Sequence, residues 1–191
     1  VYTWVDDADA RWVERRNAAK SAEDKTLVDS ASADRFANRD ELRYSLRSVA
    51  LYAEWFDSVC VVTDAQTPAW ADSSLNIVDH CQILPGDALP TFNSHVIETG
   101  LHRVPDLNEH YIYLNDDVFF DAPAPWSMFF TKDGRSRFFL SKARIPRVGS
   151  ETTTIDHAAS NGRALLHREF GTIVSQKMKH TPHAQRRSVH E

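Results

Sequence analysis

The sequence predicts an α/β fold, a mostly parallel, doubly wound sheet with flanking helices. Three observations lead there. Aliphatic and aromatic runs free of Gly and Pro recur along the chain, among them Val59-Cys60-Val61-Val62 and Tyr111-Ile112-Tyr113-Leu114, and read as strands buried on both faces. Segments with helical spacing separate them, the pattern of a parallel sheet with crossover helices. Each strand run also ends in polar residues, and in open α/β sheets ligands bind beyond the carboxyl ends of the strands.

Tyr2-Thr3-Trp4-Val5 reads as the first strand, followed at once by Asp6, Asp7 and Asp9. These carboxylates suit the crevice side of the sheet, and they suit equally the start of a helix from Ala10 to Lys20. Ser21 to Ala33 is polar without clear periodicity and reads as loop or a loosely held helix. Asn38 and Glu41 then form a candidate capping box, ahead of a helix whose buried stripe is Leu42, Leu46, Val49, Ala50 and Ala53. Arg43 and Arg47, four apart on one face, are either a solvated face paired with Asp40 and Glu41 or a guanidinium pair for a diphosphate.

The strands Val59 to Asp64 and Leu75 to His80 deliver Thr63, Asp64, Asp79 and His80 at their exits. After a Pro- and Gly-containing loop, a helix from Phe92-Asn93-Ser94 to about Arg103 turns Ile97, Leu101 and Val104 inward, with Ser94, Glu98 and His102 opposite. It leads into Tyr111 to Phe120, where Asn115, Asp116 and Asp117 fall at the exit of the most apolar strand. Two adjacent carboxylates are costly to desolvate unless paired or bound to a cation. Hard oxygen ligands select Mg²⁺ or Mn²⁺ over zinc, and a strand-ending turn is the plainer reading of the same residues. Arg137 to Leu140 reads as a further strand, Ser150 to Asp156 as a mobile loop, and Ala158 to Phe170 as a helix capped by Gly171. The chain closes on a basic, His-rich segment carrying His180 and His183, a surface tail or a source of a proton acceptor.

Composition narrows the class. With 42% hydrophobic and 26% charged residues over 191 positions, the chain is an ordinary globular protein of one domain or little more. A net charge of −5 leaves no overall basic footprint for nucleic acid. No apolar run reaches the length of a transmembrane segment, and no signal peptide opens the chain. Cys60 and Cys81 do not make a disulfide framework, and Cys60 reads as a small buried residue. The expected location is the bacterial cytoplasm, free or membrane-peripheral. The abrupt start at Tyr2-Thr3-Trp4-Val5 suggests a piece of a longer protein.

Four blocks in order carry a resemblance. They are Tyr2-Thr3-Trp4-Val5-Asp6; Arg35-Phe36 with Asp40 to Ser48; Leu89 to Ser94 with Ile97-Glu98 and Tyr113 to Asp117; and His180-Thr181-Pro182-His183. With Val62 to Gln66 and Pro68-Ala69-Trp70 between them, the chain resembles the Stealth family of hexose-1-phosphoryltransferases. That family includes bacterial capsule and exopolysaccharide phosphotransferases and the Golgi enzyme that makes the mannose-6-phosphate tag.

The resemblance implies a nucleotide-sugar-transferase-like (Rossmann-like) sheet and a single catalytic domain over 1–191, truncated at its C-terminal end. In that reading 143–191 supply a mobile loop, a helix and the histidine motif completing the site. It further implies a UDP-N-acetylhexosamine donor, an oligo- or polysaccharide acceptor, release of UMP and a divalent metal. Glu98, Asp117 and His183 match the catalytic centre, with Asp116 and Asp117 on the metal. Trp4 and Asp6 match the first block, near the nucleotide; Arg43 and Arg47 are assigned to the diphosphate, Asn93 and Asn115 to sugar or phosphate. Two departures stand out: Asp7 occupies a position where the family commonly has Gly, and the family usually continues beyond the histidine block. A metal-dependent glycosyltransferase releasing UDP and a non-catalytic sugar-nucleotide or glycan-binding module are the alternatives.

Overall fold

A computed structural model of the chain describes residues 1–23, 38–146 and 153–191. The described residues fall into two compact units, one made of 1–23, 38–137 and 181–191, the other of 138–146 and 153–180.

The first unit is built on a five-stranded sheet. In chain order its elements are β1 (Tyr2–Thr3), α1 (Ala10–Glu23), α2 (Glu41–Tyr52), β2 (Cys60–Thr63), β3 (Asn76–Asp79), α3 (His80–Ile83), α4 (Ser94–Gly100), β4 (His110–Asn115) and α5 (Trp126–Phe129). The second unit contributes β5 (Leu140–Arg144), α6 (Thr154–Phe170) and β6 (Gln176–Met178), and β7 (His183–Arg186) returns to the first. The sheet order is β3-β2-β1-β4-β7. Its first four strands are parallel and β7 runs antiparallel to β4. The protein is thus α/β, with a mixed, mostly parallel central sheet and flanking helices. Because β2 and β3 lie to one side of β1 and β4 to the other, strand order reverses at β1/β4, the point where such sheets open a ligand crevice.

Alternation along the strands divides the core. Val62, Val78, Tyr111 and Tyr113 pack with Ile83, Leu84, Ile97, Leu101 and Val104 from α3, α4 and the 3₁₀ turn that extends α4 through Arg103. The inward set read from the sequence, Ile97, Leu101 and Val104, is buried as expected. On α2 the stripe differs. Leu42 and Val49 are buried with Ser45 and Ser48, while Ala50 is exposed and Leu46 only half-buried. The serines are held by polar groups from β1 and from the chain after β4, so packing rotates the helix toward hydrogen bonds that hydrophobic periodicity does not register. The capping box is also corrected. The N-cap of α2 is Asp40 at φ 63, without a side-chain cap; Asn38 Oδ1 accepts from the Asp40 amide instead, and the Glu41 carboxylate accepts from Arg39 N.

Asp9 caps the first turn of α1, accepting from Arg11 N at 2.9 Å and Trp12 N at 3.3 Å. The helix runs past Lys20 to Glu23; the remainder of the stretch read as loop, and Arg35, lie outside the described residues. Cys60 is buried and Cys81 exposed, both free. The expected strand over 137–140 starts later, because Phe130 bridges Ser136 and Arg137 N donates to Phe129 O, closing a turn before β5 begins.

In the second unit β5 pairs antiparallel with β6. Within the expected loop, residues 150–152 lie outside the described residues, but Thr153 to Asp156 are the cap and first turn of α6. Thr153 and Asp156 form a capping box, and Lys177 pairs with Asp156. Gly171, at φ 64, ends the helix as the sequence indicates. Among the described residues no helix is long and apolar enough to cross a membrane.

Candidate active site

The carboxyl ends of β1 and β4 lie side by side, with Thr3 in register with Asn115. Tyr111, Tyr113 and Asn115 share one face of β4 by the two-residue period. The Tyr113 hydroxyl is consequently 2.6 Å from Asn115 Oδ1, 3.1 Å from Thr3 Oγ1 and 3.3 Å from Glu98 Oε1 on α4. Across the sheet Tyr113 is paired with His183, whose ring centroid is 6.1 Å from its own. Glu98, Asn115 and His183, read from three separate stretches of sequence, therefore meet around one tyrosine, and Asp116-Asp117 follow directly. The terminal segment read as a tail or a proton source is an edge strand that brings His183 to this point. His180 belongs to the other unit.

The electrostatics are those of a desolvated acidic edge. Asp116 is pushed up to about 6, by burial first and then by the charges of Asp117 and Glu41, against partial relief from backbone amides. Glu98 is raised by burial, partly offset by His95 and by the Tyr113 hydroxyl. Tyr113 is held well above the usual phenol value by burial and by the nearby Glu98 carboxylate. A cation would relieve this edge. Among the described residues no three His, Cys, Asp or Glu side chains form a metal cage by themselves. Mg²⁺, however, is commonly held by one or two carboxylates together with water and substrate phosphates. Asp116 and Asp117 fit that donor set.

The loop after β1 is clamped by Gln66, which is buried. Its amide accepts from Asp6 N and donates to Asp6 O, both at 2.9 Å, and also donates to Asp9. Asp6 Oδ1 accepts from Ala8 N, and Asp7 Oδ1 from Asn38 N. Trp4 is 5% exposed and belongs to the buried core, so its ring is not open to a ligand. Asn93 is the N-cap of α4, its side-chain oxygen accepting from His95 N, which leaves its NH₂ for a ligand. Arg43 and Arg47 are exposed on α2, with the Arg47 guanidinium 5.4 Å from the Tyr44 ring centroid.

Several polar strand exits have structural work. Asp64 pairs with Arg15 at 2.8 Å, Asp79 caps α3 in a capping box with Gln82, and His80 is buried. Tyr113 and Thr3 also stand at the site, outside the set that the sequence picks out. Strand periodicity alone carried a signal for Tyr113, two residues before Asn115.

The family described as "Stealth protein CR2, conserved region 2" matches residues 35–138, more than half of the chain. The chain belongs to the Stealth family. It is 48% identical over its full length to the exopolysaccharide phosphotransferase SCO2592 of Streptomyces coelicolor, covering 21% of that protein. Identity to the exopolysaccharide phosphotransferase SCO6021 of the same organism is 47% over 99% of the chain and 36% of the relative. With the capsular polysaccharide phosphotransferase LcbA of Aeromonas hydrophila it is 39% over the full chain, covering 55% of that protein. This Stealth chain therefore spans between about a fifth and just over half of these relatives' length.

Proposed function

We propose that the full-length protein transfers hexose-1-phosphate, from a UDP-N-acetylhexosamine, to a sugar hydroxyl of a capsule or exopolysaccharide, releasing UMP. The observation that carries this reading is the convergence of Glu98, Asn115-Asp116-Asp117 and His183 at the carboxyl edge of β1 and β4. Relatives named as polysaccharide phosphotransferases support it. In this reading the sheet is nucleotide-sugar-transferase-like (Rossmann-like), the reaction is cytoplasmic, and the donor lies across the strand-order reversal.

The acceptor oxygen forms a bond to the β-phosphorus, and the bond from that phosphorus to the bridging oxygen breaks, the electron pair leaving with UMP. An imidazole nitrogen of His183 takes the acceptor proton, general-base work typically worth ~10²–10⁴-fold. Arg43 and Arg47 hold the diphosphate oxygens as charge builds on them, and Asn93 and Asn115 orient the sugar. Glu98 supplies a further carboxylate at the edge and is the alternative to Asp116 for completing a metal's shell. Mg²⁺ or Mn²⁺ on Asp116 and Asp117 would neutralise phosphate charge.

The test is product analysis by mass spectrometry, with the full-length protein, UDP-N-acetylglucosamine, Mg²⁺ and simple sugar acceptors. UMP together with a phosphodiester-linked sugar is the expected result. UDP release would make the protein a glycosyltransferase, and binding without turnover a non-catalytic module.

A further inference from the structure

We infer that Tyr113 is a positioning residue, whose single hydroxyl proton and ring tie the Glu98 carboxylate, the Asn115 amide and the His183 imidazole into one register. The inference rests on the transfer reading above and adds a residue to it.

The hydroxyl stands 2.6 Å from Asn115 Oδ1, 3.1 Å from Thr3 Oγ1 and 3.3 Å from Glu98 Oε1. A phenol has one proton to donate, and Asn115 Oδ1 and an ionised Glu98 are both acceptors. Thr3 is the partner able to donate into the phenol oxygen. The shorter contact gives the proton to Asn115, with Glu98 held as the second, longer acceptor. Glu98 and Asn115 therefore compete for the same hydrogen, and a ligand that engages one of them releases it to the other. Tyr113 is buried, with 3% of its surface exposed, so water is poorly placed to take over the role.

The ring does a second job. Tyr113 and His183 are direct cross-strand partners of β4 and β7, with ring planes inclined at 51°. Directly opposed side chains on an antiparallel pair lie on the same face and pack on one another. Tyr113 thus meets the carboxylate side of the site through its oxygen and the histidine side through its face. Loss of the oxygen and loss of the ring should consequently have different effects.

The experiment is a double-mutant cycle in the full-length protein, following UMP release at saturating donor and acceptor. Tyr113→Phe keeps the ring and should lower kcat by ~10–10²-fold, with the donor KM within about threefold of wild type. In a Glu98→Gln background the same substitution should cost less than it does in wild type, because the part of its effect that passes through the Glu98 charge is already lost. Tyr113→Leu, which also removes the ring, should further alter the limb of the pH profile that reports His183. Multiplicative losses in the cycle, or an unchanged kcat for Tyr113→Phe, would overturn the inference and leave the transfer reading standing. A wild-type protein that releases no UMP would overturn both.

Discussion

The Ser45 hydroxyl on α2 donates to the Val118 carbonyl at 2.5 Å, one residue beyond the Asp116-Asp117 pair. With that proton committed, the Tyr2 hydroxyl, 2.7 Å away, must donate to Ser45. One turn later Ser48 Oγ donates to Ser45 O and accepts from Phe120 N. Two buried serines on one helix thus anchor the chain on the far side of the acidic turn. Ser45→Ala would orphan both the Val118 carbonyl and the Tyr2 hydroxyl, and a buried unsatisfied group costs about 1–3 kcal/mol. Urea denaturation should show a loss of that size. Adding Tyr2→Phe to Ser45→Ala should cost much less than Tyr2→Phe alone, since the hydroxyl it removes has already lost its partner.

The raised Asp116 titration carries a sign that can be tested. Its folded value of about 6 lies above the ordinary 3.8, so the fold favours the protonated form. The associated stability is full below about 3.8 and is lost as pH rises through 6. At pH 7 to 8 the ionised carboxylate therefore weakens the fold, and Asp116→Asn should stabilise it by up to roughly 3 kcal/mol. At pH 3.5 the difference should nearly vanish. Mg²⁺ should raise the wild-type Tm by mass action and leave Asp116→Asn much less affected, while EDTA restores the original gap. Thermal melts at the two pH values, with and without Mg²⁺, check all of this. Equal Mg²⁺ responses in the two proteins would remove the metal from Asp116.

The central strands and the acidic edge were legible because their signals are local. Val61 and Val62, or Ile112 and Tyr113, can be buried only in a sheet covered on both sides, and Asn115 to Asp117 stand directly after one such run. What was not legible depends on distant partners. β7 carries His183, Ala184, Gln185 and Arg186, with no apolar alternation, and becomes a strand because β4, more than 70 residues earlier, offers it an edge. The Tyr111 hydroxyl then satisfies Gln185 across that pairing. Ser45 and Ser48 failed for a related reason, since a periodicity count scores serine as solvent-facing whatever it bonds to.

β7 is held by Glu109, which makes its detachment depend on pH. The carboxylate accepts from Ser188 Oγ at 2.6 Å, Ser188 N at 3.1 Å and Arg186 Nε at 3.0 Å. The Ser188 bonds first, and Arg186 after them, depress its titration to about 2 from an ordinary 4.5. The contribution is complete above about 4.5 and disappears as pH falls toward 2. Hydrogen exchange at neutral pH should be faster over residues 183–188 in Glu109→Gln than in wild type. The two proteins should converge near pH 2. His183 lies on the loosened strand, so kcat should fall with the protection.

Gly100 ends α4 two residues after Glu98, and it permits the helix to approach α3. A Cβ at this position would stand 2.7 Å from Leu84 Cδ2 and 2.8 Å from Ile83 O. A side-chain methyl can rotate away, but the backbone carbonyl of Ile83, the last residue of α3, shifts only with its turn, so α4 must move. Gly100→Ala should therefore destabilise by about 1–3 kcal/mol, as other overpacked sites do. Since Glu98 moves with its helix, kcat should fall beyond what the change in folded fraction explains, by up to ~10²-fold for a displacement near 1 Å. Gly162 in α6 is the control. Nothing lies within 4 Å of a Cβ there, and alanine at an exposed helical position should stabilise by up to ~1 kcal/mol without affecting turnover. Chemical denaturation and UMP release measured on both variants separate the effects. A Gly100→Ala protein as stable and as active as wild type would mean that α3 and α4 are not packed closely enough to fix Glu98.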